Sequence, residues 1–205
     1  DYDDVGIGGH PSVVLVPALL AEGERLHASG ELLLRAYVVG YEIWAELILR
    51  DEDRHHGKGW HPTAVFGAVA AAGAVCALRG LDAGRACNAL GIAASLASGL
   101  IANFGTMTKP FQVGHAAASG IDAADLAQAG MTASPDALEH QAGFLAAISP
   151  RGRVDRGPCA QPPGQNLRIA SLGLGVKKYP MCFVTHRVID AMLDLVRAHN
   201  LQPAE

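Results

Sequence analysis

The sequence predicts a mainly α protein, and three observations carry that reading. Apolar residues recur at helical spacing between residues 12 and 144, and no stretch there alternates with period two. Serine, aspartate and proline stand where helices would start, and glycine stands where they would stop. Half of the 205 residues are hydrophobic and 18% are charged, with Gly (24) and Ala plentiful, a balance suited to closely packed helices. This length accommodates one sizeable domain, or one domain and part of another.

The elements follow in order. Val13, Leu15, Val16, Leu19, Leu20 and Leu26 form the apolar face of a helix over 12–28, with Pro17 near its start. Ser29 is placed to cap a second helix over 30–50, lined by Leu33, Leu34, Tyr37, Val38, Tyr41, Trp44 and Ile48. DEDRHHGKG (51–59) reads as a charged surface loop. Pro62 suits the first turn of a third helix running to Arg79, with Gly80 ending it. Asp82 opens a fourth helix reaching to about Phe104. Thr106–Gly114 (TMTKPFQVG) reads as a connector, because Pro110 disfavours helix at Lys109. A fifth helix is predicted over 115–129 with Gly130 as its cap, and Ser134-Pro135-Asp136 opens a short sixth. Composition then shifts: 149–165 holds four prolines, three glycines and three arginines and reads as a linker or mobile loop. LRIASLGL (167–174) reads as one short strand, and 184–198 as a last amphipathic helix through Val188, Ile189, Met192, Leu195 and Val196. Any strands are expected to lie beyond residue 150.

Several function classes lose support at this level. A net charge of −4 gives no bulk drive toward nucleic acid or an anionic membrane. Residues 59–78 lack Asp, Glu, Lys and Arg, but their body is Ala and Gly after Trp-His-Pro, which favours a buried helix over a membrane span. Cys76, Cys87, Cys159 and Cys182 form no CxxC pair, so neither a disulfide framework nor a zinc knuckle is expected. With no signal-peptide pattern, a cytoplasmic location is the expectation. GxGxxG after a strand, a Walker loop and GxSxG are absent. His55, His56 and His61 lack metal-ligand spacing, and His55 and His56 read as solvated surface residues; no metal is expected.

What remains is a set of polar groups at element ends. Asp1-Tyr2-Asp3-Asp4 precedes a glycine loop. His10-Pro11-Ser12 and His61-Pro62-Thr63 repeat one pattern, an imidazole beside helix N–H groups that attract carboxylates. Thr108-Lys109-Pro110 holds a lysine, and Lys177-Lys178-Tyr179-Pro180 places two cations ahead of a helix.

These motifs, in this order, with GWHPTAVFGAVAAAGAVCALRGLDAGRACNALGIAASLASGLIANFGTMTKPFQVGHAAASGI between the flanking DYDD…GHPS and KKYPMCFVTH, resemble the MmgE/PrpD family. Its members include 2-methylcitrate dehydratase, cis-aconitate decarboxylase and an iminodisuccinate epimerase. The resemblance implies a large all-helical domain, here 1–150 without its N-terminal part, then a linker and the beginning of a smaller α+β domain over 151–205. It also implies a homodimer, which we expect to form through the Ala/Gly-rich helices, and a site in the cleft between domains.

By motif, the resemblance places catalytic roles on Asp1, His10, His61 and Lys109, and substrate binding on Lys177, with Thr108, His115 and His186 as neighbours. The pocket should join Lys109, His61, His10 and Lys177, with Lys109 dominant. Arg151, Arg153 and Arg156 read as a solvated loop. Two departures count against decarboxylation: Val5 stands where some members have threonine, and Cys182 where decarboxylase-like members have histidine. The implied activity is a cofactor-free lyase on a small polycarboxylate, led by dehydration of a 2-methylcitrate-like hydroxy acid through general acid and base groups. Epimerisation or decarboxylation is the alternative. A non-catalytic helical fragment or paralogue is the rival from another class.

Overall fold

The computed structural model describes residues 3–4, 8–159 and 164–202. It is mainly α, with eight α-helices among the described residues: α1 (Ser12–Leu26), α2 (Gly30–Leu49), α3 (Pro62–Arg79), α4 (Ala83–Leu96), α5 (Thr108–Gln128), α6 (Phe144–Ile148), α7 (Arg168–Leu172) and α8 (Phe183–His199). Two short 3-10 turns, His55–Lys58 and Ile101–Asn103, precede α3 and α5.

Helix α3 is the axis of the fold, and α1, α2, α4 and α5 pack around it. It starts on Pro62 and ends on Gly80, whose left-handed backbone (φ 65) lets its N–H reach back to Ala77 O. Sixteen of its eighteen residues are buried, which accounts for the missing charges: every face meets protein. Its small side chains let α5 approach so closely that a Cβ on Gly120 would come within 2.4 Å of the Ala71 methyl. The apolar run long enough for a membrane is thus wrapped by its own chain. The small residues of α3 are thus used in packing within the chain.

Most starts and stops fall where cap chemistry puts them. Ser29 Oγ accepts from Leu32 N at 3.3 Å, and Asp82 Oδ1 accepts from Arg85 N at 2.9 Å. Five expectations are corrected. Helix α5 begins at Thr108, not 115, so Lys109 and Pro110 lie in its first turn; a proline there loses no bond, since first-turn N–H groups have no helical partner. Helix α4 stops at Leu96, because the following backbone pairs with another segment instead: Trp60 bridges Leu100, and His61 N donates to Gly99 O at 3.0 Å. Residues 135–139 form turns rather than a helix. There Ser134 Oγ donates to Asp136 at 2.5 Å instead of capping, and the next helix is α6.

The expected strand over 167–174 is instead helix α7, because the Glu42 carboxylate accepts from both Arg168 N (3.0 Å) and Ile169 N (2.9 Å) and caps it from outside. Lastly, a strand does precede residue 150: β1 (Asp3–Asp4) pairs antiparallel with β2 (Gly175–Val176).

The later part of the chain is gripped by α2. Tyr41 Oη donates to Gly173 O at 2.8 Å, and Glu46 pairs with both Arg50 and Arg168. The proline-rich stretch is docked as well, since Arg50 Nη1 donates to Gly157 O (2.7 Å) and Asp155 N to Arg50 O (2.7 Å).

Candidate active site

His61 is set at the N-terminal end of α3 by backbone pairing on its other side. Gly59 O accepts from Ile101 N, and the segment passes close to Gly99, where φ is +135 and a Cβ would lie 2.9 Å from that of Ala64. The ring is buried, with Nδ1 2.8 Å from Gln112 Oε1. Gln112 Nε2 donates to Leu100 O at 3.1 Å, which fixes its amide with oxygen toward His61. His61 Nδ1 therefore carries the proton, and Nε2 keeps the basic lone pair. Burial drives the pKa of His61 down to about 4; the Gln112 bond opposes this, while Lys109, His10 and His56 press it further down. At neutral pH this is a neutral imidazole, oriented and able to take a proton.

Phe104 gathers the groups around it. The His61 ring meets it edge-on at 4.8 Å between centres, His56 does so at 6.5 Å, and Lys109 Nζ sits over its face at 4.7 Å. Burial, and then Arg54, His10 and Lys109, lower the pKa of His56. His10, His56, His61 and Lys109 thus form one electrostatic cluster. His10 is half-buried and donates from Nδ1 to Asp3 O at 2.7 Å.

Asp3 joins this cluster to the later segment. Its backbone pairs with Val176, the residue before Lys177, and its Oδ2 accepts from Ser12 N at 3.0 Å. The carboxylate attracted to the start of α1 is thus supplied by the chain itself. Asp3 is buried, and its Oδ1 has no hydrogen-bond partner among the described residues.

A cleft of about 1030 Å³ opens beside the cluster. It is lined by Ile48, residues 51–56 and Pro62 from the helical part and by Lys177, Lys178, Phe183, His186 and Arg187 from the later segment. Lys177 is half-buried there, and Lys178 pairs with Asp190 at 2.5 Å. His186 lines the cleft but is occupied structurally, donating from Nε2 to Tyr179 O at 3.1 Å.

The structure therefore brings His10, His61 and Lys109 together and sets Lys177 and His186 along the adjoining cleft. Thr108 opens α5 beside Lys109, while His115 is exposed and stacks on Phe111, with ring centres 6.0 Å apart. Asp1 lies outside the described residues.

Residues 1–156 match the MmgE/PrpD N-terminal domain. The chain belongs to the MmgE/PrpD family. It is similar to the cis-aconitate decarboxylase of Homo sapiens, 33% identical over 97% of this chain and 42% of that protein. The Mus musculus cis-aconitate decarboxylase is 33% identical over 99% of the chain and 42% of its own length. That of Aspergillus terreus (strain NIH 2624 / FGSC A1156) is 31% identical over 93% and 41%. The chain spans about two-fifths of the length of these curated relatives.

Within this MmgE/PrpD chain, the motifs located the imidazoles and the lysine but not what holds them. Phe104 and Gln112 were missed because neither residue type announces a site; only the fold places them against His61. The 51–59 loop was misread more seriously. Asp51, Asp53 and His55 are buried: Asp51 accepts from Asp53 N (2.8 Å) and Ser149 Oγ, Asp53 is held by Arg151 and Arg153, and His55 packs edge-on against Phe66 at 4.8 Å. The alternation D-x-D-x-H was the available signal, a period-two pattern in a short charged segment. Arg151 and Arg153 are exposed as anticipated, but they fasten this loop.

Proposed function

We propose that the chain carries a cofactor-independent lyase site for a small polycarboxylate, working by proton transfer and fixed positive charge. The supporting observation is that His61 and Lys109 meet on Phe104, with His61 oriented by Gln112 and His10 close enough to act on its ring. A carbanion formed next to a carboxylate spreads its charge onto the carboxylate oxygens, and a lysine ammonium stabilises that charge most in the transition state. Lys177, on the adjoining cleft, would bind a second carboxylate.

Within that class, the names of the curated relatives favour decarboxylation of a cis-aconitate-like acid. The carboxylate carbon leaves as carbon dioxide, its bonding electron pair stays on the substrate carbon, and an imidazolium returns one proton there. An arriving polyanion would raise the imidazole pKa and so bring that proton with it.

Dehydration of a 2-methylcitrate-like acid is the second reading, favoured by His61 itself. A buried imidazole, neutral at pH 7 with its lone pair on Nε2, suits removal of a proton next to a carboxylate, while a second group protonates the leaving hydroxyl. Cys182 also departs from the decarboxylase-like pattern. We read 151–205 as the beginning of a second domain that closes the cleft, and any homodimer as using faces other than α3.

The test is turnover by the full open reading frame on cis-aconitate and 2-methylcitrate, scoring carbon dioxide release against water loss. Release of carbon dioxide from cis-aconitate supports the first reading, and dehydration of 2-methylcitrate the second. Turnover of neither acid, nor of related diacids, would hand the chain to the non-catalytic rival.

A further inference from the structure

Beside the motif residues stands His56, which the sequence pattern assigned to bulk solvent. It is the residue shared by two features described above: it meets Phe104 within the imidazole–lysine cluster, and it lines the cleft that leads toward Lys177. Its backbone is fixed. His55 before it is buried against Phe66, and Gly57 N donates to Arg54 O at 2.8 Å. Gly59 N donates to His56 O at 3.0 Å, and Lys58 Nζ reaches Ala147 O (2.8 Å) and Ser149 O (3.0 Å). The ring itself is exposed and makes no hydrogen bond with a described residue.

The charges around it decide what it can bind. Arg54, His10 and Lys109 act on it, and two of these, Arg54 and Lys109, are cations. Among the acids on the same cleft, Asp51 is held by Ser149 and Asp53 N, Asp53 by Arg151 and Arg153, and Asp190 by Lys178 and Tyr179. Glu52, exposed on the cleft, is the remaining acid on the His56 side. An exposed imidazole on a fixed backbone, with Arg54 and Lys109 for neighbours, favours an anion. A carboxylate of a bound acid that extended from the cluster into the cleft would meet His56.

We propose that His56 is a specificity-determining residue that binds the third carboxylate of a tricarboxylate, selecting such acids over dicarboxylates. The proposal rests on the polycarboxylate reading above, and its test separates the two. Propane-1,2,3-tricarboxylate and glutarate, which share one carbon skeleton, are titrated calorimetrically into the full-length protein and its His56→Gln and His56→Lys variants.

His56→Gln should weaken the tricarboxylate about tenfold near pH 6 and leave glutarate within about twofold. Wild-type affinity for the tricarboxylate should rise as pH falls from about 7.5 to about 6, and that rise should shrink in His56→Gln. His56→Lys should keep the affinity without its share of the pH dependence. In turnover, His56→Gln should raise KM and leave kcat within about twofold.

Equal weakening of both acids, no weakening, or a fall in kcat instead of a rise in KM would overturn the assignment. Tricarboxylate binding that depends on His56, in a protein turning over no polycarboxylate, would uphold the binding role and sink the lyase reading. Normal turnover by wild type and His56→Gln alike would do the reverse, and wild type binding neither acid would sink both.

Discussion

At the C-terminal end of α3, the Arg79 side chain is buried and pairs with two carboxylates, while its Nη2 has no hydrogen-bond partner among the described residues. Its Nε lies 2.7 Å from Glu22 Oε1, its Nη1 lies 2.7 Å from Asp125 Oδ1, and Glu22 is held in turn by Arg25 at 2.5 Å. At the N-terminal end, about 27 Å away along the axis, His61 is equally buried, and its neighbours are Lys109, His10 and His56. One end joins α1, α3 and α5 through opposite charges; the other sets one lysine and two imidazoles against an aromatic ring. Paired charge at a helix end fixes the packing, and a cation held among titratable imidazoles is poised for a ligand of opposite sign.

The largest effect that would break this contrast is at the anchor. Glu22→Ala leaves the Arg79 guanidinium buried and short of its carboxylate, which should cost about 3–5 kcal/mol of stability. Denaturant unfolding measures the loss, and the cluster around Phe104 should keep its ligand affinity in the molecules that remain folded. A loss below about 1 kcal/mol would mean that the anchor does not hold the helices.

The two ends should also answer pH in different windows. Burial pushes the Glu22 carboxyl up, but its hydrogen bonds from Arg25 and Arg79 outweigh this and hold it at about 2. A carboxyl depressed on folding stabilises above its unfolded value of 4.5, and that contribution is lost as pH falls from there toward about 2. His61 is likewise depressed, from 6.5 to about 4, chiefly by burial; the unfolded chain takes up the proton first, so stability falls as pH drops through that interval. His55, lowered by burial against the pull of Asp51 and Asp53, adds to the same window, as does His56. His61→Asn should flatten the upper window by up to about 3 kcal/mol and leave the lower one intact. Urea midpoints measured from pH 7 to pH 3 decide this, and an unchanged upper slope would count against a buried neutral His61.

How much of this was readable beforehand differs between the same regions. The bounds of α3 were legible to the residue, because Pro62 and Gly80 act through local backbone geometry. The imidazoles and Lys109 were legible as motif members. The backbone of Lys109 was not, since the restriction imposed by Pro110 gave way at a first turn where no N–H bond is lost. Helix α7 was hidden for another reason: its cap comes from Glu42, over a hundred residues earlier, and no local pattern reports such a partner. His56 and Gln112 belong with it, as residues whose meaning comes from the fold that surrounds them.

The account stands most directly on Lys109. Replacing it with Met removes the ammonium from the face of Phe104 and keeps much of the stem. The single measurement is kcat/KM of Lys109→Met in the full-length protein, on whichever polycarboxylate the wild type turns over, with its melting curve recorded alongside. We predict a loss of at least about 3 kcal/mol in transition-state stabilisation, roughly a hundredfold or more in rate. The melting temperature should move by less than about 4 °C, since only an aromatic contact is lost. Near-normal turnover, or an unfolded variant, would contradict the account and make Lys109 a packing residue.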